Sequence, residues 1–209
     1  GSNRSYVYTF DGSDWKLVDT IGDELSPAYA AGYGASVAIA GDEIIVGAPT
    51  YKTGGVGKGA AFVYARNGSA WTSAGTLVAA DGAAADLFGS AVDMSGGHAI
   101  IGAPGVSAGS GAAYMFELTL GSWSLQQARL VMQTTSPAQS PGGTLLDNAD
   151  HFGGAVAIDG ERAIVGAWGR NRYGSLNELL VDAGEALPFR LSGGTWNLDS
   201  LANPLAGSD

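Results

Sequence analysis

The chain has 209 residues, of which 34 are glycine and none is cysteine, and its formal net charge is −10 at pH 7. The lack of cysteine excludes disulfide frameworks, thiolate metal sites and cysteine nucleophiles. The scarcity of clustered positive charge argues against nucleic-acid binding. Hydrophobic residues make up 45% of the chain, which supports a packed core, but no apolar run reaches the roughly 18 residues of a transmembrane helix. We therefore expect no membrane insertion.

The first predicted element is a β-hairpin within residues 1–22. An aromatic-rich run at residues 6–10 leads into Asp11-Gly12-Ser13, and a second run extends from Trp15 to Ile21. Two short apolar runs joined by an Asp-Gly turn are the usual signature of a hairpin.

Residues 33–80 predict a four-stranded unit, whose strands we call A to D. Strand A alternates at residues 36–40, and strand B is the apolar run at residues 43–46. Strand C is the aromatic run at residues 60–64, and strand D begins near Trp71. The A–B and C–D connections are short glycine-containing turns, and residues 54–59 are expected to form a flexible B–C loop. The hairpin of residues 1–22 matches strands C and D of this unit.

The same unit occurs twice more, at residues 88–132 and 152–204. The spacing from Gly34 to Gly89 is 55 residues, and that from Gly89 to Gly153 is 64. The same two spacings separate the glycines of the three Gly-Ala pairs, which are Gly47, Gly102 and Gly166. The predicted A–B turns are Gly41-Asp42, Gly96-Gly97 and Asp159-Gly160, and residues 177–182 are expected to form one helical turn. A repeated four-stranded unit with glycine-rich turns is typical of β-propeller blades. The fold class is therefore all-β, with about three and a half blades in a single propeller unit.

The middle unit carries a recognisable motif: Phe88-Gly89 is followed by Gly102-Ala103-Pro104. This pattern resembles the FG-GAP repeat of integrin α-subunit propellers, and the preceding Asp81-Gly82 and Asp86-Leu87 resemble the bacterial repeats most. The resemblance implies a β-propeller, commonly seven-bladed, that is secreted or on the cell surface and serves binding and adhesion. Low charge and abundant small residues also suit a secreted chain.

The integrin resemblance does not extend to calcium. Integrin blades hold Ca²⁺ on an Asp-rich A–B loop, since calcium needs six to eight oxygen ligands, whereas the A–B turns here are too short. No cofactor or metal is therefore expected. The carboxylates at Asp81, Asp86, Asp147 and Asp150 are interpreted as solvated loop groups, with a bound cation as the alternative.

No constellation for catalysis emerges from the sequence. His98 lies in a B strand and is interpreted as an edge or core residue, and His151 is interpreted as a solvated loop residue. No Gly-x-Ser-x-Gly elbow precedes a helix, and nothing nominates a pair of carboxylates. We therefore predict that the chain is not an enzyme.

The candidate binding site lies on the B–C and D–A loops, which share one face of a propeller. The third B–C loop combines cationic and aromatic residues at Trp168, Arg170, Arg172 and Tyr173, and the first offers Tyr51 and Lys52. Such side chains suit a carbohydrate or an acidic protein partner. Replacing Arg170, Arg172 and Tyr173 by alanine is expected to abolish capture at little cost in stability.

These observations favour a non-enzymatic extracellular binding or adhesion module. Two alternatives stay open. One is an assembly subunit whose half-ring closes by homodimerisation into a seven-bladed ring, because open blade edges invite pairing. The other is a propeller hydrolase or lyase that acts on polysaccharide.

Overall fold

The computed structural model describes residues 4–22, 32–130, 149–173, 179–180 and 184–199. In this part of the chain, 14 strands of four or more residues form one hairpin and three four-stranded sheets. The hairpin consists of β1 (Ser5–Phe10) and β2 (Trp15–Ile21). The sheets contain β3 (Ser36–Ala40), β4 (Glu43–Ala48), β7 (Ala60–Asn67) and β8 (Ala70–Leu77); β9 (Ala91–Ser95), β10 (His98–Ala103), β11 (Ala112–Thr119) and β12 (Ser122–Leu130); and β13 (Phe152–Asp159), β14 (Arg162–Ala167), β17 (Glu185–Ser192) and β18 (Thr195–Leu198).

Each sheet is an antiparallel meander in which strands A, B, C and D lie side by side in chain order. We call the three sheets the first, second and third blade. The predicted propeller blades are thus confirmed, and strand B pairs with both A and C in every blade.

The hairpin β1–β2 has the register of the outer half of a blade. Ser5 lies opposite Ile21 just as Ala61 lies opposite Leu77 in the first blade. Both hairpins also carry a bulge at the same place, between Val7 and Tyr8 in one and between Val63 and Tyr64 in the other. The residues of this hairpin therefore form the same local structure as strands C and D of the first blade.

The hydrophobic core lies between blades, because each blade buries one face against its neighbour. The core between the first and second blades includes Ile45, Val63, Val92, Met94, Ile101 and Tyr114, and that between the second and third includes Ile100, Met115, Ile158 and Trp196. A third cluster joins the hairpin to the first blade through Val7, Ile21, Ile44, Val46, Phe62 and Tyr64. Burial of apolar surface at these interfaces stabilises the stack of blades.

Several loops differ from the sequence-based expectation. The first B–C loop, expected to be flexible, contains a small hairpin of β5 (Lys52–Thr53) and β6 (Val56–Gly57). The helical turn expected at residues 177–182 is wrong for Leu179 and Leu180, because these two residues form β16 (Leu179–Leu180) and pair with β15 (Arg172–Tyr173). The other residues of the expected turn lie outside the described part.

Two turns also differ. The third A–B turn is one residue later than predicted, because Asp159 pairs with Arg162 and leaves Gly160 and Glu161 as the turn. The second B–C loop contains one unpredicted helical turn, α1 (Val106–Gly109), in which Ser107 and Ala108 have φ angles of 53° and 58°.

Candidate functional site

The most distinctive surface is at the end of the third blade, where the loop into β13 meets the loop out of β14. The His151 and Trp168 rings stack nearly parallel there, with centroids 4.0 Å apart and planes inclined by 8°. Trp168 nevertheless keeps 61% of its surface exposed, whereas His151 is half-buried. The interpretation of His151 as a solvated loop residue is therefore wrong. We call this pair the His–Trp platform.

The backbone under His151 is set by the fold. His151 has a φ angle of 52°, and the same position in the other repeats is also left-handed, at Leu87 (60°) and Gly32 (80°). Its backbone N–H donates a hydrogen bond to the Gly109 carbonyl at 2.8 Å. The unusual conformation is thus common to all three blades.

What is special to the third blade is the pair of side chains. The second repeat has Leu87 and Pro104 where the third has His151 and Trp168. Gly154 lies below the indole, since a Cβ there would come within 2.9 Å of the Trp168 ring. Only this repeat of the three presents two stacked rings to solvent.

Arg170 lies beside the platform and is neutralised by two carboxylates. Its guanidinium is 3.3 Å from Asp150 Oδ2 and 3.5 Å from Glu185 Oε2, and all three side chains are largely withdrawn from solvent. In the second repeat the positions of Arg170 and Glu185 are held by the buried residues Val106 and Ala112. The third blade therefore has charged side chains at two positions that are apolar and buried in the second blade, and the cluster carries no excess of positive charge.

The other predicted binding residues are distributed differently. Arg172 and Tyr173 form β15, in the same loop as Arg170. Tyr51 is half-buried and packs edge-on against Phe62, with centroids 5.1 Å apart, whereas Lys52 is exposed in β5. Both belong to the first blade, so the structure does not bring them to the His–Trp platform.

His98, the other histidine, lies at the interface between the second and third blades. It is half-buried, and its ring contacts that of Trp196 edge-on at 5.8 Å. The equivalent residue of the first blade is Glu43, whose pKa is raised by burial, an effect partly offset by the Trp123 indole of the next blade. In both blades the first residue of strand B thus approaches the strand-D tryptophan of the next blade. We therefore assign His98 a role in packing between blades.

The described residues contain no group of three or more His, Asp or Glu side chains arranged to hold a metal ion. Asp81 accepts a hydrogen bond from the Tyr114 hydroxyl at 3.0 Å, and Asp86 accepts one from the Ala83 N–H at 2.6 Å. Asp86 and Asp150 are buried, so their interpretation as solvated groups is wrong, and Asp147 lies outside the described part. Across the described ranges, no helix has the length and hydrophobicity to span a membrane.

A model of the FG-GAP repeat matches the chain at residues 28–64, 71–116 and 147–178, which together are more than half of its length. The chain belongs to the FG-GAP repeat family. FG-GAP repeats build propeller modules that are often used in binding and are typically non-catalytic. The third matched FG-GAP segment includes His151, Trp168 and Arg170, so the platform is a variation within the repeat.

A search of curated proteins finds no match to this FG-GAP chain. Among solved structures, the crystal structure of Saccharomyces cerevisiae Sqt1 is similar, with a TM-score of 0.45 and 11% sequence identity over 95% of this chain. The FG-GAP chain spans 38% of that structure's length.

Proposed function

We propose that the chain is a non-enzymatic binding module that acts outside the cell and takes its ligand on the loop end of the third blade. The observation that carries the proposal is the His–Trp platform, a large exposed indole held in place by a stacked imidazole. Aromatic side chains that are rigidly held and exposed are efficient binding anchors, because little conformational entropy is lost when a ligand covers them. The family's frequent use in binding supports this choice.

The charges around the platform favour a neutral carbohydrate over an acidic ligand. Arg170 already pairs with Asp150 and Glu185, so one cation faces two anions. The whole chain also carries a net charge of −10, which repels polyanions at long range. The apolar face of a sugar ring packs on an indole without needing a counter-charge. We therefore place a neutral glycan ahead of an acidic protein as the ligand.

The test compares three variants by affinity electrophoresis against separate neutral and uronic-acid-containing polysaccharides. Trp168→Ala removes the platform and is expected to weaken retention by a neutral polysaccharide at least about tenfold, since anchor residues contribute 2 kcal/mol or more. His151→Ala is expected to weaken it less, because the indole stays but loses its support. The matched control is Trp15→Ala, which removes an equally exposed tryptophan (64%) from the hairpin β1–β2.

Arg170 is a poor probe of this site. Removing one partner of a buried ion pair leaves the others uncompensated and commonly costs 3–5 kcal/mol, so an alanine at this position perturbs the blade itself. Retention by neutral polysaccharide that survives Trp168→Ala, or that Trp15→Ala abolishes equally, contradicts the assignment. Turnover of any polysaccharide in the panel contradicts the non-enzymatic role.

A further inference from the structure

The rings of the His–Trp platform have few contacts that hold them in place. Trp168 is 61% exposed, so burial does not fix the indole. Gly154 leaves room beneath it but supplies no side chain to pack against it. The ring partner is His151, at a centroid distance of 4.0 Å, and a single stacked pair contributes only a little more than thermal energy. The two loops that carry the rings therefore need a further link.

The backbone supplies one link between these loops, and the second blade has the same one. The Gly169 N–H donates to the Asp150 carbonyl at 3.1 Å, which joins the loop after β14 to the loop before β13. In the second blade the Gly105 N–H donates to the Asp86 carbonyl at 3.0 Å. That blade has no aromatic side chain at either ring position. This hydrogen bond therefore belongs to the repeat and does not account for the platform.

The side chain of Arg170 supplies a second link. Its guanidinium lies 3.3 Å from Asp150 Oδ2 and 3.5 Å from Glu185 Oε2. Asp150 directly precedes His151 in the loop before β13. Glu185 begins β17 and pairs with Ala167, the residue that precedes the platform tryptophan. One side chain thus connects both loops of the platform to the sheet.

This link is sheltered from solvent. The side chains of Arg170, Asp150 and Glu185 keep only 21%, 7% and 26% of their exposure, and partly buried charges are screened less than surface charges. The Gly184 N–H also donates to the Arg170 carbonyl at 3.1 Å, which fixes the backbone from which the guanidinium extends. The link is therefore more rigid than an ion pair on the surface, where two long side chains lose entropy on pairing.

The ion pair and the stacked rings occur in the same repeat. Val106 and Ala112 hold the positions of Arg170 and Glu185 in the second blade, and both are buried. The second blade forms the same backbone link between its loops without these charges. The charges are therefore not needed to close the loops of a blade, and what they add is confined to the blade that carries the rings.

From these contacts we infer that Arg170 is the positioning residue of the His–Trp platform. Its guanidinium ties Asp150 to Glu185, so that the Trp168 indole stays on His151 before a ligand arrives. An indole that is already ordered loses less conformational entropy when a ligand covers it. Arg170 thus raises affinity without contacting the ligand. This effect on affinity rests on the proposed function, whereas the effect on the stack does not.

The test removes the ion pair without leaving a buried charge unpaired. The triple variant Arg170→Val, Glu185→Ala, Asp150→Asn installs the valine and alanine that the second blade buries at two of these positions and neutralises the third. Arg170→Lys is the conservative variant, since a single ammonium keeps the charge but lacks the fork that reaches both carboxylates. The matched control is Arg190→Gln with Asp199→Asn, which removes another ion pair of the third blade, with a distance of 3.6 Å.

The stack is measured by NMR on the histidine rings, because the chain contains only two histidines. The indole ring current is expected to shift the His151 ring protons upfield in the unaltered chain. In the triple variant these signals should move to their positions in Trp168→Ala, and in Arg170→Lys they should move part of the way. The His98 signals, assigned with His98→Gln, report the contact with Trp196 and should stay in place if the blade is intact.

Binding is measured by affinity electrophoresis with the neutral polysaccharide. The triple variant is expected to be retained about two- to tenfold more weakly than the unaltered chain, because the indole must then be ordered on binding. The loss should be smaller than that of Trp168→Ala, since the indole itself is still present. The control variant should be retained as well as the unaltered chain.

Unchanged His151 signals in the triple variant overturn the inference, and so does an equal shift in the control variant. If the triple variant does not fold, Arg170→Lys decides by the same signals. Loss of the stack with unchanged retention, in a chain whose retention depends on Trp168, also overturns it. Retention that Trp168→Ala leaves unchanged contradicts the proposed function instead, and the His151 signals then still decide whether Arg170 positions the rings.

Discussion

The glycines of the Gly-Ala pairs have close backbone neighbours in the first two repeats but not in the third. A Cβ on Gly47 would strike the backbone carbonyl of Gly89, and one on Gly102 would strike that of Gly153. On Gly166 the nearest atom would be the Ala155 Cβ at 3.3 Å. These glycines are needed because the next blade's backbone crosses directly over them, and in the described part no blade crosses Gly166.

This difference gives a prediction for one substitution made in two repeats. Gly102→Ala is expected to lower the free energy of unfolding by about 3 kcal/mol, because the backbone of Gly153, which lies over Gly102, cannot easily move away from the added methyl group. Gly166→Ala is expected to cost less than about 1 kcal/mol, because it meets only a methyl group at near-contact distance. Urea denaturation of the two variants measures both values, and equal losses would show that the glycines serve only the conformation of their own strand.

At the scale of elements, the outer strands of successive blades are joined by side-chain hydrogen bonds. The Trp196 backbone N–H donates to Gln127 Oε1 at 2.7 Å, and Gln127 Nε2 donates to the Trp196 carbonyl at 3.1 Å. Asp19 accepts from the Trp71 backbone N–H at 2.7 Å in the same way. Both acceptors lie four residues after the tryptophan of their own strand D, whereas the first blade has Gly75 there.

Gln127→Ala removes both hydrogen bonds to a buried tryptophan. It is expected to lower the free energy of unfolding by about 1–3 kcal/mol, because the Trp196 N–H and carbonyl lose their partners at the interface. Ser124→Ala, an exposed site on the same strand, is the control and should stay within about 0.5 kcal/mol of the unaltered chain. A loss no larger than the control's, in thermal or urea unfolding, would mean that water replaces the side chain at no cost.

The elements that the sequence predicts well are those with both a period and a turn signal. Alternating apolar residues and Gly-containing turns identify all the long hairpins, including β1–β2. The two-residue strands β15 and β16 are too short to show a period. The left-handed residues Ser107 and Ala108 carry no signal either, because surrounding backbone rather than residue type imposes their conformation.

The sequence predicts only part of the candidate binding site around Trp168. Trp168 and Arg170 stand out as aromatic and cationic residues in one loop. The stacking of His151 on Trp168 joins two separate loops, so composition alone cannot show it. Comparing repeats would have found it, since His151 replaces Leu87. The same comparison places Arg170 and Glu185 at positions that are apolar in the second repeat, which points to an ion pair rather than a free cation.

On the scale of the whole molecule, the same side chain contributes differently according to its place in the series of blades. Ile39, Met94 and Ile158 occupy one position of the repeat, yet only Ile39 is exposed. In a repeat architecture, stability is close to a sum of units and of interfaces between neighbours. The apolar residues of strand A contribute through an interface with the preceding blade, and the first blade has only half of one.

The matched substitutions Ile39→Ser, Met94→Ser and Ile158→Ser test this view. Met94→Ser and Ile158→Ser are each expected to lower the free energy of unfolding by about 2–5 kcal/mol, because they remove buried apolar volume and bring a hydroxyl group into an apolar interface. Ile39→Ser is expected to change it by less than about 0.5 kcal/mol, since the side chain is solvated before and after unfolding. Urea denaturation over a hundredfold range of protein concentration provides the measurement. A large cost of Ile39→Ser that grows with concentration would contradict this view, because it would mean that a second copy of the chain covers Ile39.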